Sequence, residues 1–261
     1  MSIRLKVMTF NLSCDDDPVA KRLTTFQHRA PRIYEMLQRE KPDLIGFQEA
    51  TDRMRASLTE TLLPLGYAVA GCGRDTDYHG ESTVVAYRRD QFELLNLETR
   101  WLSLTPDVPG SSFGGDQSGC PRIYTAATLC HRALEKPFVF LNTHLDHVGR
   151  NARLLGVSQI LQRLSEQGLH FIITGDMNAE PNDAEIKCFT AKPVCGAPVC
   201  DATAGLGDTY HGYGKDAPMK IDYVFTDFAC DPSAARVLPD APVEGIWLSD
   251  HYPVAAVVEI A

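Results

Sequence analysis

Apolar residues along the chain fall into short runs of strand length, bounded by Gly, Pro, Asn and Asp. Residues 5–12 alternate loosely, with Asn11 at their end, and residues 43–48 form a short apolar block that delivers Glu49. Further strands are predicted over 82–87, 92–97, 124–130, 138–143, 171–174, 221–225 and 254–260, all rich in Val, Thr, Leu, Ile and Phe. Helical spacing is seen twice. Ala30, Ile33, Met36 and Leu37 form one stripe over 27–39, which Lys41-Pro42 stops. Leu154, Val157, Ile160, Leu161 and Leu164 form the other over 153–164, with Gly168 as its C-terminal stop. No repeat, low-complexity tract or linker interrupts the series, so residues 1–261 are expected to form one domain. Many strands and few helices predict an α+β architecture, two packed, mainly antiparallel β-sheets with helices outside. A doubly wound sheet would need a helix between most strands.

Composition narrows the function. The chain has 261 residues and a net charge of −9, with 25 basic and 34 acidic residues. Residues 201–261 carry ten acidic and three basic residues, so most of the excess charge lies there. This excludes a broad basic surface for non-specific nucleic-acid binding, while leaving room for a local cationic pocket. No run approaches the roughly 18 apolar residues of a membrane span. The opening segment reads straight into a strand, so a cytoplasmic location and no membrane partner are expected. Eight cysteines without a CxxC pair are then expected to be free thiols, although Cys195 and Cys200 are spaced closely enough for a zinc corner.

The chemistry-bearing residues share a position: each follows or precedes a strand. Asn11, Glu49, His144 and the pair Asp176 and Asn178 come at strand ends, and Asp250-His251 precedes the last strand. Strand ends of a packed sheet gather at one rim, so these residues can converge across long sequence separations. Several buried acids together require a cation. Carboxylate and amide oxygens suit Mg²⁺ or Mn²⁺, whereas zinc would want more His or Cys. Asp176 and Asn178 lie two apart and point the same way on an extended segment, although an Asx turn before Pro181 would use the same residues.

Six segments in order carry a resemblance. They are Met8-Thr9-Phe10-Asn11-Leu12, Pro42-Asp43-Leu44-Ile45-Gly46-Phe47-Gln48-Glu49, and Asn142-Thr143-His144-Leu145-Asp146-His147. Gly175-Asp176-Met177-Asn178-Ala179-Glu180-Pro181, Lys220-Ile221-Asp222-Tyr223-Val224-Phe225 and Ser249-Asp250-His251-Tyr252-Pro253-Val254 complete the set. The sequence resembles the endonuclease/exonuclease/phosphatase superfamily, the DNase I-like fold, from about residue 5 to residue 260. Trp101-Leu102-Ser103, Pro109-Gly110-Ser111 and Arg122-Ile123 are similar to a bacterial branch of it.

The resemblance implies a four-layer sandwich and a divalent-metal-dependent phosphoester hydrolase, with a phosphodiesterase favoured. Asn11, Glu49 and Asp250 would hold Mg²⁺ or Mn²⁺. Asp176 would handle the attacking water or a metal, with Asn178 at the phosphate or the metal region. Asp222 would orient His251, 29 residues on, as general base or phosphate-polarising imidazolium. His144 would stabilise charge on the phosphoryl oxygens. Arg122 matches phosphate geometry, and an ion pair would explain it equally. His147 could join His144 in a small zinc site, and Glu81 and His211 could line the pocket or sit in solvated loops.

The expected substrate is a phosphorylated small molecule or a short nucleic acid, with no obligate protein partner. A nuclease acting on short DNA or RNA ends is the alternative. Two readings from other classes remain: a serine hydrolase at Ser112, in Gly110-Ser111-Ser112-Phe113-Gly114, and a non-catalytic binding module that kept the fold.

Overall fold

The structure is a computed structural model, and it describes residues 2–17, 22–238 and 241–261. Two β-sheets pack face to face. The first has the strand order β11-β13-β1-β2-β4-β3, with β12 also paired to β13, and the second β5-β6-β7-β8-β10-β9. Chain order gives β1 Ile3–Asn11, α1 Phe26–Glu40, β2 Leu44–Ala50, α2 Asp52–Leu62, β3 Tyr67–Ala70, β4 Ser82–Arg88 and β5 Phe92–Trp101. It continues with β6 Ile123–His131, β7 Pro137–His144, α3 Arg150–Gln167, β8 Phe171–Asp176, α4 Ala184–Thr190 and β9 Cys200–Asp201. The last strands are β10 Asp222–Thr226, β11 Ala229–Cys230, β12 Arg236–Val237 and β13 Val254–Ile260.

The pleat explains why strands such as β1 and β7 read as apolar blocks: both of their faces are covered. In β1, Leu5 and Val7 enter the core between the sheets, while Met8 and Phe10 face α1 and α2. In β7, Phe138 and Phe140 point inward, and Val139 and Leu141 meet the α3 and α4 side. Helices α1 and α2 bury Ile33, Met36, Leu37, Met54 and Leu58 on the first sheet, and α3 and α4 bury Val157, Ile160, Leu164 and Phe189 on the second. The result is the helix–sheet–sheet–helix sandwich expected from the sequence.

Both predicted helix stops hold. Lys41 ends α1 in the left-handed region, with its N–H donating to Leu37 O, and Gly168 ends α3 at φ +64 with its N–H donating to Leu164 O. Helices α2 and α4, strand β3 and the two-residue strands β9, β11 and β12 add to the predicted set. The free-thiol expectation is corrected at Cys200 and Cys230, which form a disulfide joining β9 to β11. That pairing removes Cys200 from a zinc corner, and Cys195 Sγ instead donates to Leu164 O.

The sheets are mainly antiparallel; among the described residues, β1–β2 and β7–β8 are the pairs that run parallel. Each parallel pair is joined by a helix, α1 or α3, so β1, β2, β7 and β8 end at the same rim. Strands β10 and β13 run opposite to their neighbours and therefore start there. In register, Asp222 lies opposite Asp176, and Asp176 opposite His144. No helix among the described residues is long and apolar enough to cross a membrane.

Candidate active site

The rim opens into a cleft of about 510 Å³ lined by seven of the nine predicted site residues: Glu49, Arg122, His144, Asp176, Asn178, Asp250 and His251. The other two, Asn11 and Asp222, lie fully buried behind it.

Glu49 reaches the cleft through a local irregularity. The β2–β4 register shifts between Phe47 and Ala50, and Glu49 adopts φ +60. A bulge of this kind re-aims a side chain. Its carboxylate accepts from Asn11 Nδ2 at 3.0 Å and from Cys14 N–H at 2.9 Å. Burial alone would push the Glu49 carboxyl up, but the Asn11 hydrogen bond, the nearby His251 charge and the Cys14 N–H hold it below its ordinary value. Asn11 Nδ2 also donates to Asp176 Oδ2 at 2.9 Å, and Asn11 Oδ1 accepts from Ser13 N–H. The amide thus bridges two carboxylates that lie far apart in sequence.

Asp222 Oδ2 lies 2.9 Å from His251 Nδ1, and His251 Nε2 is 3.6 Å from Asp176 Oδ2. Burial opposes charge on His251, yet Asp222, Asp176 and Asp250 outweigh it and raise the imidazole above its ordinary value. His144 is the opposite case. Burial and then Arg122 hold it well below the usual histidine value. His144 Nε2 sits 3.0 Å from Asn178 Nδ2 and 3.5 Å from Asp176 Oδ2. Asn178 takes φ +47, which returns its backbone N–H to Asp176 Oδ1 at 2.9 Å. One short loop therefore fixes Asp176, Asn178 and His144 together.

The acids outnumber their counter-charges. Burial raises the Asp176 carboxyl against the pull of His251, with Asp222 adding repulsion, and burial likewise raises Asp250. Asp222 Oδ1 is buried without a hydrogen-bond partner. Ligand atoms of Glu49, His144 and Asp176 lie within 4.8 Å of one another, as do those of Asp176, Asp222 and His251. This oxygen-rich, under-neutralised donor set fits a hard divalent cation.

Arg122 supplies the opposite charge. It is 4% exposed, and its Nη2 bonds His147 Nδ1 at 2.7 Å. Its Nε lies 3.5 Å from Asp146 Oδ2, yet Nε and Nη1 are buried without hydrogen-bond partners. Unsatisfied buried donors are costly, and here they border a cleft. His147 is therefore a partner of Arg122, not of His144 in a zinc site. Glu81 lines the cleft, with Arg74 Nη2 donating to its Oε1 at 2.6 Å. His211 faces a neighbouring groove instead, its ring packed on Tyr252 and Trp247.

Several cleft residues escaped sequence reasoning. Arg74 lies in a turn-rich loop and carries no periodic signal. Cys14 follows Asn11 by three residues, and Tyr210 packs T-shaped on His251 with ring centroids 4.9 Å apart. Ser112 sits in an irregular loop rather than a strand–turn–helix elbow, and Ser111 Oγ is engaged by Ser103 and Thr105 O. That setting removes the structural basis for the serine-hydrolase reading.

Comparison with known proteins identifies related chains of the same fold. An endonuclease/exonuclease/phosphatase family protein from Bacteroides thetaiotaomicron has 27% identity, covers 100% of this chain and 99% of its own, and superposes with a TM-score of 0.87. A homologue from Bacteroides vulgatus has 29% identity over 99% of this chain and 100% of its own, with a TM-score of 0.84. A mannosyl-6-phosphatase of Bacteroides thetaiotaomicron has 28% identity over 98% and 100% of the two chains, with a TM-score of 0.83. Residues 8–251, which span every strand-end residue of the cleft, match the Endonuclease/Exonuclease/phosphatase family, and the chain belongs to it.

Proposed function

We propose that the protein is a divalent-metal-dependent phosphoester hydrolase acting on small phosphorylated compounds. The observation that carries this reading is the polarity of the cleft. Buried carboxylates and a buried guanidinium whose Nη1 has no hydrogen-bond partner line the same cleft. A cation at the carboxylates and a phosphoryl group at Arg122 would satisfy both.

Glu49 and Asp250, with Asn11 beside them, would hold Mg²⁺ or Mn²⁺. The ion would supply Lewis-acid neutralisation of the phosphoryl charge. Arg122 binds the non-bridging oxygens through its guanidinium, whose Nη1 has no hydrogen-bond partner. Asn178 and His144 orient the same oxygens. Asp176 accepts a proton from the attacking water, a role matched to its raised carboxyl. Asp222 fixes the His251 ring, whose charged form stabilises negative charge developing in line.

The sequence favoured a phosphodiesterase. Arg74 and His147 also line the cleft, but Arg74 is paired with Glu81 and His147 with Arg122, so both are already engaged. The mannosyl-6-phosphatase relative shifts the reading towards a phosphomonoester. A nuclease acting on short DNA or RNA ends is the reading that competes with it.

The test is hydrolysis of p-nitrophenyl phosphate and bis-p-nitrophenyl phosphate with Mg²⁺, with Mn²⁺ and with EDTA, wild type beside Glu49→Ala. Metal-dependent monoester turnover lost in the variant is the expected result. Preference for the diester would restore the phosphodiesterase reading. Turnover unaffected by EDTA or by Glu49→Ala would overturn the mechanism.

A further inference from the structure

Among the described residues Arg29 is the largest fully buried side chain, with 0% exposure, and its hydrogen bonds there go to backbone carbonyls. An arginine on the buried stripe of an amphipathic helix is expensive unless its donors are satisfied. Here they are satisfied by backbone carbonyls. Nε donates to Thr24 O at 2.6 Å, Nη1 to Leu12 O at 2.6 Å and Leu248 O at 2.8 Å, and Nη2 to Ser13 O at 2.9 Å.

The acceptors are informative. Leu12 and Ser13 immediately follow Asn11, and Leu248 lies two residues before Asp250. Ser13 is held at φ +56, a left-handed conformation that costs a non-glycine residue about 1 kcal/mol or more. That conformation has a use on both sides. The Ser13 N–H donates to Asn11 Oδ1 at 2.9 Å, and the next N–H, of Cys14, donates to Glu49 Oε2 at 2.9 Å. Ser249 adds a second tie between the two segments: its Oγ lies 2.7 Å from Asn11 O and 3.0 Å from Asp250 Oδ1.

We infer that Arg29 is a positioning residue for the metal-binding side of the cleft. It clamps residues 12–13 to residue 248, and so sets the side chains of Asn11, Glu49 and Asp250. The inference rests on the reading that these three residues hold the metal. The planar fork of the guanidinium is what the clamp requires. A lysine ammonium, with its donors on a single atom, could not reach all four carbonyls on three segments.

Two measurements on Arg29→Lys and Ser249→Ala test it, each beside wild type and after circular dichroism has shown a native fold. The first is amide hydrogen exchange at residues 12–14 and 248–250 in metal-free protein. The second is the calorimetric affinity for Mn²⁺. Faster exchange in both segments and Mn²⁺ affinity weakened about 10- to 100-fold in Arg29→Lys are expected. Ser249→Ala should shift both in the same direction and by less. A folded Arg29→Lys with wild-type exchange overturns the clamp. Faster exchange with unchanged Mn²⁺ affinity overturns the positioning role and leaves Arg29 as a packing residue. Should Arg29→Lys fail to fold, unchanged readouts in Ser249→Ala overturn the inference. If wild type binds no Mn²⁺, the proposed function fails, and the exchange comparison still decides whether the clamp exists.

Discussion

Asp146 offers a prediction whose magnitude follows from the structure. Its side chain is 2% exposed, and its Oδ1 accepts from the N–H groups of Ser118, Val148 and Gly149 at 3.1, 3.0 and 2.6 Å. Its Oδ2 accepts from the Ser118 hydroxyl and lies 3.5 Å from Arg122 Nε. Burial would raise this carboxyl, but the donors from Gly149, Ser118 and Val148 prevail and lower it from 3.8 to about 2. At 1.36 kcal/mol per unit, that difference corresponds to at most about 2.5 kcal/mol of stability at neutral pH. The site lies just beneath the surface, so solvent screening reduces this to about 1–2 kcal/mol.

The sign follows from linkage. The folded value is the lower one, so the contribution is complete above the unfolded value near 4, and it is lost as pH falls through about 2. Asp146→Asn keeps the shape and removes the charge. Urea unfolding at about pH 7 should show the variant about 1–2 kcal/mol less stable, and the gap should fall to about half by pH 3. A gap that stays constant over that range would refute the charge argument and assign the loss to geometry. The same variant should raise KM, because Asp146 also fixes Arg122.

Other predictions concern the core and the cleft. A Cβ at Gly46 would lie 2.0 Å from Thr174 Oγ1 and 2.5 Å from Asn142 Oδ1, both fully buried between the sheets. Gly46→Ala should therefore cost about 3 kcal/mol in urea unfolding, and a loss under about 1 kcal/mol would show that the polar layer yields. Arg122→Lys replaces a fork by a point charge and should lower kcat/KM for p-nitrophenyl phosphate about 10- to 100-fold, chiefly through KM. Asp222→Asn keeps the ring contact but removes its charge; kcat should fall about 100-fold or more with the fold intact by circular dichroism. Near wild-type kcat would remove Asp222 from the mechanism.

The sequence revealed those parts of the fold whose pattern is local. Strands β1, β7 and β8 are buried on both faces, so they stand out as apolar blocks. Helices α1 and α3 announce themselves by stripes and by left-handed stops. Helix α2 passed unnoticed because its apolar stripe is only Met54, Leu58 and Leu62, one residue per turn, even though Thr51 Oγ1 accepts the Met54 N–H at its start. Strands β9, β11 and β12 are two residues long and are defined by their partners, which no local pattern discloses. The site divides in the same way. Glu49, His144, Asp176 and His251 were legible because a polar residue closing an apolar run is conspicuous. Arg74 and Tyr210 sit in loops whose approach to the cleft is a tertiary fact. Arg29 did leave a trace, a charge on the buried stripe it shares with Ile33 and Met36.

The topology explains why residues so dispersed can act together. Asn11 and Asp176 belong to different sheets and are 165 residues apart, yet they share a hydrogen bond because β1 packs across β8. Each parallel pair, β1–β2 and β7–β8, sends two strand ends to one rim, and antiparallel β10 and β13 start from it. Strand ends held by a packed core are rigid, which suits groups that must stay aligned on a phosphoryl centre. The two arginines are placed differently. Arg74 comes from the loop before β4, and Arg122 from the loop entering β6, where it is braced by Asp146 and His147. Glu49, Asp176 and His251 are thus held at or beside the ends of sheet strands, and Arg74 and Arg122 in connections that can change length without disturbing the sheets. On this division, substitutions at Glu49, Asp176 or His251 should act on turnover whatever the ester, whereas changes at Arg74 or Arg122 should shift the preference between esters.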